Sequence, residues 1–137
     1  MKPFMNNALH LIGRLLLAVL FLPAGLAKLS GFEGTVGYIA SVGLPLPSVA
    51  AAVAVALEIL GSLALIIGFQ TRIVAAVLAV FTLVASIFFH VFWSAAPDQA
   101  FVQQLLFFKN IGVIGGLLVL VSSGAGAWSL DAKKQAQ

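Results

Sequence analysis

Four long apolar stretches, separated by short polar breaks, dominate the hydrophobicity pattern of the chain. Each is long enough to cross a bilayer as a helix, which takes about 20 residues. Open sheet edges cannot be satisfied in lipid, and these stretches are too long for barrel strands, so helices are expected. The pattern therefore predicts an all-α membrane protein, an antiparallel bundle of four transmembrane helices near 8–29, 48–68, 72–93 and 101–121.

The breaks between the stretches predict how the helices connect. "GFQTR" is tight enough to make the second and third spans an antiparallel hairpin, and "SAAPDQA" is another short loop. The first connection, "SGFEGTVGYIASVGLPLP", contains Gly, Pro and Ser breakers and has room for a short amphipathic surface segment. Because no internal repeat is present, we expect a single transmembrane domain over residues 1–137.

Composition supports the membrane class and narrows the chemistry. Of the 137 residues, 62% are hydrophobic and 8% are charged, whereas a soluble domain carries roughly 25% charged residues. The seven Lys and Arg form no basic stripe, which argues against nucleic acid as a partner. The chain has no cysteine, so thiol–disulfide chemistry and Cys-ligated metal sites within it are excluded. A redox role would need a bound cofactor or a partner subunit.

The charges flanking the spans predict the orientation. Glu33 and Asp98 fall on one side, and four cations fall on the other, namely Lys2, Arg72, Lys133 and Lys134. By the Lys/Arg bias of short flanks, both termini should face the cytoplasm from the inner membrane. The first residues also resemble a secretory signal, but Arg14 interrupts the apolar centre, so a retained helix is the better interpretation.

Three charged residues lie inside the apolar stretches: Arg14, Glu58 and Lys109. On a helical wheel Arg14 and Lys28 share one face of the first span, and Glu58 and Lys109 lie at nearly equal depth. Unpaired, the three deep charges would cost on the order of 8–10 kcal/mol in the bilayer. We therefore expect Arg14, Glu58 and Lys109 to converge in the bundle interior.

Two deep cations against one carboxylate leave surplus positive charge, which favours a pocket for an anion or a carbonyl-bearing ligand. The alternative is an ion cluster that only fixes helix packing. His90, expected at the outer rim at the level of Lys28, is either an interfacial anchor or part of the site. Four aromatic residues surround it, namely Phe88, Phe89, Phe92 and Trp93. They are expected to form the outer aromatic belt; the alternative is that they stack on a flat ring such as a quinone. His10 lies at the opposite end of the first span, so no haem or metal pair is predicted.

The order of landmarks along the chain resembles one known family. The landmarks are "R-x6-F-x3-G-x2-K" from Arg14 to Lys28, "GF" at 31–32, "ALEILGSLALIIGFQTRIVA" at 56–75, "HVFW" at 90–93 and "FFKNIGVIGG" at 107–116. Together they resemble the DoxX family of small bacterial membrane proteins, from Arg14 to about Leu118. The charged and polar positions that match its pattern are Arg14, Lys28, Glu58, His90, Lys109 and Asn110.

This resemblance implies a four-helix membrane domain with an association to redox enzymes. The namesakes of the family include a subunit associated with thiosulfate:quinone oxidoreductase in archaea. Other relatives are linked to membrane oxidoreductase complexes that contain superoxide dismutase and a sulfurtransferase-like partner. No soluble partner domain is attached to this chain, and it has no self-contained catalytic motif.

The leading hypothesis is a quinone- or small-anion-binding membrane subunit that works with a partner oxidoreductase. In it, Arg14 and Lys109 hold a ligand oxygen, Glu58 orients them, and His90 exchanges protons at the outer surface. One alternative is a homo-oligomeric, proton-coupled transporter or exporter subunit that uses a Glu58–Lys109 pair as its gate. Another is a non-catalytic membrane scaffold.

Overall fold

The structure, a computed structural model, describes all residues from 1 to 137 and contains helices without strands. Four long helices form the bundle, and short helices lie at its two ends. Their bounds are α1 Lys2–Ser30, α2 Phe32–Ser41, α3 Pro47–Ile67, α4 Thr71–Phe89 and α5 Pro97–Ser123, then α6 Leu130–Gln135, with a 3-10 turn at Phe92–Ser94. The predicted all-α fold with four helices able to cross a membrane is confirmed.

The helix ends follow local backbone chemistry. α1, α3 and α5 each have a proline in the first turn, where its missing N–H costs nothing. α3 ends at Ile67, and the Gly68 that follows it has a φ of 71°, the left-handed conformation that glycine adopts most readily. α4 ends at Phe89, earlier than the predicted end at 93, and the chain continues into the 3-10 turn.

The long helices pack in an antiparallel series, α1 on α3, α3 on α4 and α4 on α5. Both termini and the α3–α4 turn lie at one end, which we call the terminal end; at that end the Phe4 and Trp128 rings touch and Lys134 lies over Phe69. α2 and the 3-10 turn lie at the opposite end, which we call the loop end. α2 packs against α3 and buries Ile39.

The hydrophobic core occupies the terminal half of the bundle. Leu65, Leu78 and Leu117 come from three different helices and are almost fully buried, and Phe21 of α1 packs against them. Lipid tails are as apolar as these side chains, so their contribution inside the bilayer comes from van der Waals contact in a close-packed interior. The large side chains of the core lie in the terminal half, and the loop half contains a cavity instead.

The C-terminal segment, residues 124–137, docks onto the terminal end through Asp131. The Asp131 carboxylate accepts hydrogen bonds from the backbone N–H groups of Gln70 (2.7 Å) and Thr71 (2.9 Å), and its own N–H donates to the Gly68 carbonyl. Asp131 therefore caps the start of α4 from a distant part of the chain. Partial burial alone would raise the pKa of Asp131, but these hydrogen bonds and the charge of Lys134 outweigh it, so that the pKa lies below its usual value.

Gly25 allows α1 and α3 to approach closely, and its replacement tests this contact. A Cβ at Gly25 would lie 2.8 Å from Cγ1 of Ile59 and 2.9 Å from Cβ of Glu58. We expect Gly25→Ala to lower the free energy of unfolding by about 1–3 kcal/mol, measured by denaturant titration in micelles. Gly112→Ala is the matched control, since nothing lies within 4 Å of a Cβ there. Equal stability of the two variants would contradict the close approach.

The cap formed by Asp131 predicts a dependence of stability on pH. Since its pKa is lowered in the folded state, the stabilisation is present above the unfolded value of about 3.9. It is lost as the pH falls through the folded pKa. We expect Asp131→Asn to lower the melting midpoint at pH 7, and the difference from the parent to vanish as the pH falls below the folded pKa. Asp98→Asn, at an exposed position in the first turn of α5, should keep the parent profile; an identical profile for Asp131→Asn would disprove the cap.

Candidate functional site

A cavity of about 450 Å³ lies between the long helices and α2 in the loop half of the bundle. Its volume falls within the range of small-molecule sites, which spans roughly 300–1,000 Å³. Most of its wall is apolar, and a few charged and polar side chains converge on it. We call it the loop-end cavity. The predicted site residues that line it are Lys28, Glu58, His90, Lys109 and Asn110.

An ion pair between Lys28 and Glu58 forms one wall of the cavity. Lys28 Nζ lies 3.0 Å from both carboxylate oxygens of Glu58, so the contact is bidentate. The Glu58 side chain is 6% exposed and that of Lys28 is 35% exposed. Gly25, one turn before Lys28 on the same face of α1, contacts Glu58 and brings the two helices together. This is the single ion pair closer than 4.0 Å in the chain.

The prediction that Arg14 converges with Glu58 is wrong. Arg14 is fully buried, but it lies near the terminal end, where Nη1 donates to the carbonyls of Leu65 (2.9 Å) and Ile66 (3.1 Å). Nη2 donates to the carbonyl of Trp128 at 2.5 Å. The last carbonyls of α3 have no partner within that helix and carry the negative end of its dipole, so they accept the Nη1 bonds without a carboxylate, while Nε is buried without a partner.

The predicted pairing of Glu58 with Lys109 is also wrong, although both residues line the same cavity. The partner of Glu58 in the structure is Lys28, where Lys109 was predicted. Sequence analysis placed Lys28 at the rim because it lies near the end of the first span. Only Gly31 separates α1 from α2, and α2 packs against α3. Lys28, which lies close to this junction, is therefore at the level of Glu58.

Lys109 lines the cavity with no carboxylate within 4.0 Å of its ammonium group. It lies near the middle of α5, and it is exposed and open to the cavity. Its neighbour Asn110 is buried and donates through Nδ2 to Ser86 Oγ at 3.0 Å, while Ser86 donates to the Thr82 carbonyl. This hydrogen bond between α4 and α5 holds α5 in the rotation that turns Lys109 toward the cavity.

His90 follows the last residue of α4 and lies at the loop end of the cavity. Its Nδ1 lies 2.8 Å from Oε1 of Gln103, so the ring donates through Nδ1. Nε2 is then left as an acceptor in the neutral ring. The structure therefore brings His90 and Lys28 to one cavity.

Aromatic side chains from three helices form much of the apolar wall. Phe21, Tyr38, Phe81 and Phe89 all line the cavity. The Tyr38 and Phe89 rings lie 5.2 Å apart and join α2 to the end of α4. The predicted aromatic cluster near His90 is present, but it is centred on Phe92 and includes rings from α5.

Chemically, the cavity combines two lysines, one carboxylate and one imidazole, so it carries about one surplus positive charge when the imidazole is neutral. No group of three His, Cys, Asp or Glu side chains is placed to hold a metal ion. The arrangement is suited to holding an oxygen-bearing ligand with an apolar body. Electrostatic attraction is stronger in the low dielectric constant of a membrane interior than in water.

Sequence analysis missed several residues of the site. Tyr38 and Thr35 enter through α2, and Ser86, Thr82 and Gln103 hold the polar side chains in place. The i, i+4 spacing of Thr82 and Ser86 marks one face of α4 and was a usable signal. Arg14 is the one predicted site residue that lies outside the cavity.

The ion pair predicts a specific pattern of coupling between variants. Glu58→Gln should lower the free energy of unfolding by about 1–2 kcal/mol, at the low end for a buried pair because Lys28 is partly exposed. In Lys28→Met/Glu58→Gln the loss should be smaller than the sum of the two single losses. Lys2→Gln with Glu58→Gln serves as the distant control cycle and should be additive. Additive losses for Lys28 and Glu58 would contradict the pair.

Comparison with known proteins places this architecture in a family. The family model described as DoxX matches residues 9–91, which include Arg14, Lys28, Glu58 and His90 and end before Lys109. The chain is 37% identical over 123 residues to Inner membrane protein YphA of Escherichia coli K12, covering 90% of this chain and 88% of that protein. It is 38% identical over 124 residues to Inner membrane protein YqjF of the same organism, covering 88% of each.

A more distant similarity extends to a eukaryotic protein. The chain is 36% identical over 72 residues to a Surfeit locus protein 4 homolog of Schizosaccharomyces pombe, covering 51% of this chain and 24% of that protein. No solved structure matches the chain. Because the family model covers more than half of the chain and two relatives match along most of their length, this four-helix membrane protein belongs to the DoxX family.

Proposed function

We propose that the chain is an inner-membrane subunit that binds a quinone or a small anion in the loop-end cavity and works with a partner oxidoreductase. The observation that carries the proposal is Lys109, a cation inside the bilayer-crossing part of α5 that lines the cavity without a carboxylate partner. A lone ammonium group at this depth costs about 2.5–3.5 kcal/mol. A ligand oxygen bound to Lys109 offsets that cost.

The charges of the cavity divide into a satisfied pair and a free cation. Glu58 is held by Lys28 through both oxygens, so it does not neutralise Lys109. An anion or a carbonyl oxygen is the ligand chemistry that complements an ammonium donor. Lys109 takes the role that the sequence hypothesis gave jointly to Arg14 and Lys109, and Arg14 has no part in the site.

The walls favour a flat, apolar ligand over a hydrated inorganic anion. Phe21, Tyr38, Phe81 and Phe89 offer ring faces and edges for offset or T-shaped contact with an aromatic or quinoid ring. Val53 and Val84 line the cavity and are also 50% and 45% exposed, so the cavity reaches the outer surface of the bundle. A molecule dissolved in the bilayer can enter there without crossing water.

His90 supplies the proton chemistry that reduction or oxidation of such a ligand requires. With Nδ1 donating to Gln103, Nε2 of His90 can accept a proton near the loop end. The chain itself has no cysteine and no self-contained catalytic motif, so electron transfer is assigned to the partner subunit. Under this proposal the termini and their cations face the cytoplasm, by the positive-inside bias.

A transporter function fits the packing less well. Leu65, Leu78 and Leu117 fill the terminal half of the bundle, and a path through one chain requires that core to part. A homo-oligomeric transporter or exporter would therefore need its path between chains. In the scaffold alternative Lys109 has no role, because Lys28 and Glu58 already neutralise each other.

The proposal predicts stabilisation by a quinone that depends on Lys109. Addition of a short-chain quinone to the purified chain in micelles should raise the melting midpoint, because the ligand binds only the folded state. Lys109→Met should remove most of the shift and keep the apolar stem. Lys133→Met, on the exposed C-terminal helix, should leave the shift unchanged.

The same measurement with small carboxylates separates the two ligand classes. A Lys109-dependent shift with the quinone alone supports a ring-bearing ligand, and one with the carboxylates alone supports an anion site. If neither probe stabilises the parent, or if both stabilise Lys109→Met as well as the parent, the proposed site is wrong.

A further inference from the structure

A second cavity lies at the terminal end, apart from the loop-end cavity and sharing no residue with it. It measures about 670 Å³ and is bounded by the start of α4, the end of α5 and the C-terminal segment. Most of its lining is polar or glycine, in contrast to the apolar loop-end cavity. Its charged residues are Arg72, Asp131 and Lys134. We call it the terminal cavity.

Arg72 is fixed in place with part of its guanidinium left free. Nη1 donates to the carbonyls of Val121 (2.7 Å) and Ser122 (2.5 Å), the last carbonyls of α5. These bonds leave Nε and Nη2 without a partner inside the protein. Both atoms lie beside Gly124, within 3.3 Å of where a Cβ would be, so the absence of a side chain there leaves them uncovered. With the guanidinium fixed through Nη1, the edge formed by Nε and Nη2 can donate to two oxygens of one phosphate group.

The one carboxylate of the terminal cavity is already occupied. Both oxygens of Asp131 accept backbone N–H bonds from Gln70 and Thr71. Lys134 adds a second cation, held with its Nζ 4.7 Å from the centre of the Phe69 ring. The net charge of the terminal cavity is therefore positive, because two cations line it against one carboxylate, which is hydrogen-bonded to the backbone.

The terminal cavity lies where the membrane-crossing helices end. α3 ends at Ile67, α4 begins at Thr71 and α5 ends at Ser123, and the cavity is built on the last two of these ends. At the same end Phe4 and Trp128 are exposed and pack with ring centres 5.2 Å apart, as aromatic residues do at the headgroup level. Basic pockets at this level bind lipid head groups.

We propose that the terminal cavity binds a phosphate group at the membrane surface, through the free edge of Arg72 and the ammonium group of Lys134. The same chemistry is offered by the head group of an anionic phospholipid and by free phosphate. Binding there would join the C-terminal segment to the ends of α4 and α5.

The test uses the full chain in neutral detergent micelles, with a fluorescent short-chain phosphatidylglycerol as the probe and phosphatidylcholine as the zwitterionic comparison. Phosphatidylglycerol should bind more tightly. Lys134→Gln should weaken its binding about fivefold, the effect of one basic residue near an anionic surface. Lys133→Gln is the matched control, since it removes an adjacent lysine that does not line the cavity, and it should bind as the parent does.

Competition with millimolar inorganic phosphate, at constant ionic strength, distinguishes the two sources. Displacement of the lipid by phosphate supports a site for the free ion, and resistance to displacement supports a lipid whose chains add to the binding. Equal binding of the two lipids would overturn the proposal, because the two cations would then not select an anionic head group. Equal weakening by Lys133→Gln and Lys134→Gln would also overturn it, because surface charge alone would then explain the result.

Discussion

A charged side chain inside a membrane helix needs a partner within the protein, because lipid offers none, and this requirement organises the bundle around α1. Arg14 and Lys28 lie on one face of that helix, and both reach α3. Arg14 donates to the free carbonyls at the end of α3, whereas Lys28 pairs with the carboxylate of Glu58. Two different chemistries thus fasten α1 to α3 at two levels.

These contacts explain why Lys109 is the lysine of the cavity that has no carboxylate partner. With Glu58 engaged by Lys28, no carboxylate lies within 4.0 Å of the Lys109 ammonium group. Asn110 is bonded to Ser86 and holds α5 in place. A cation kept at the wall of an apolar cavity is costly for folding, and it becomes favourable when a ligand oxygen reaches it.

The two halves of the bundle differ in how their interiors are filled. Close-packed leucines and the capping contacts of Arg14, Arg72 and Asp131 stabilise the terminal half. In the loop half the packing is looser, and α2 covers a cavity of ligand size in place of a filled core. For this member of the DoxX family, the close-packed terminal half positions the helices that carry Lys28, Glu58 and Lys109.

The sequence by itself determined the four helices, since long apolar runs allow no other structure in lipid, and it identified the face of α1 shared by Arg14 and Lys28. Five of the six residues that it predicted for a site line the loop-end cavity. The partners of the charges were decided by tertiary structure alone. Every residue has a carbonyl, so no pattern marks those of Leu65 and Ile66 as the acceptors for Arg14. The depth of Lys28 depends on how α2 continues from α1 along α3, which helical rise within one span does not reveal.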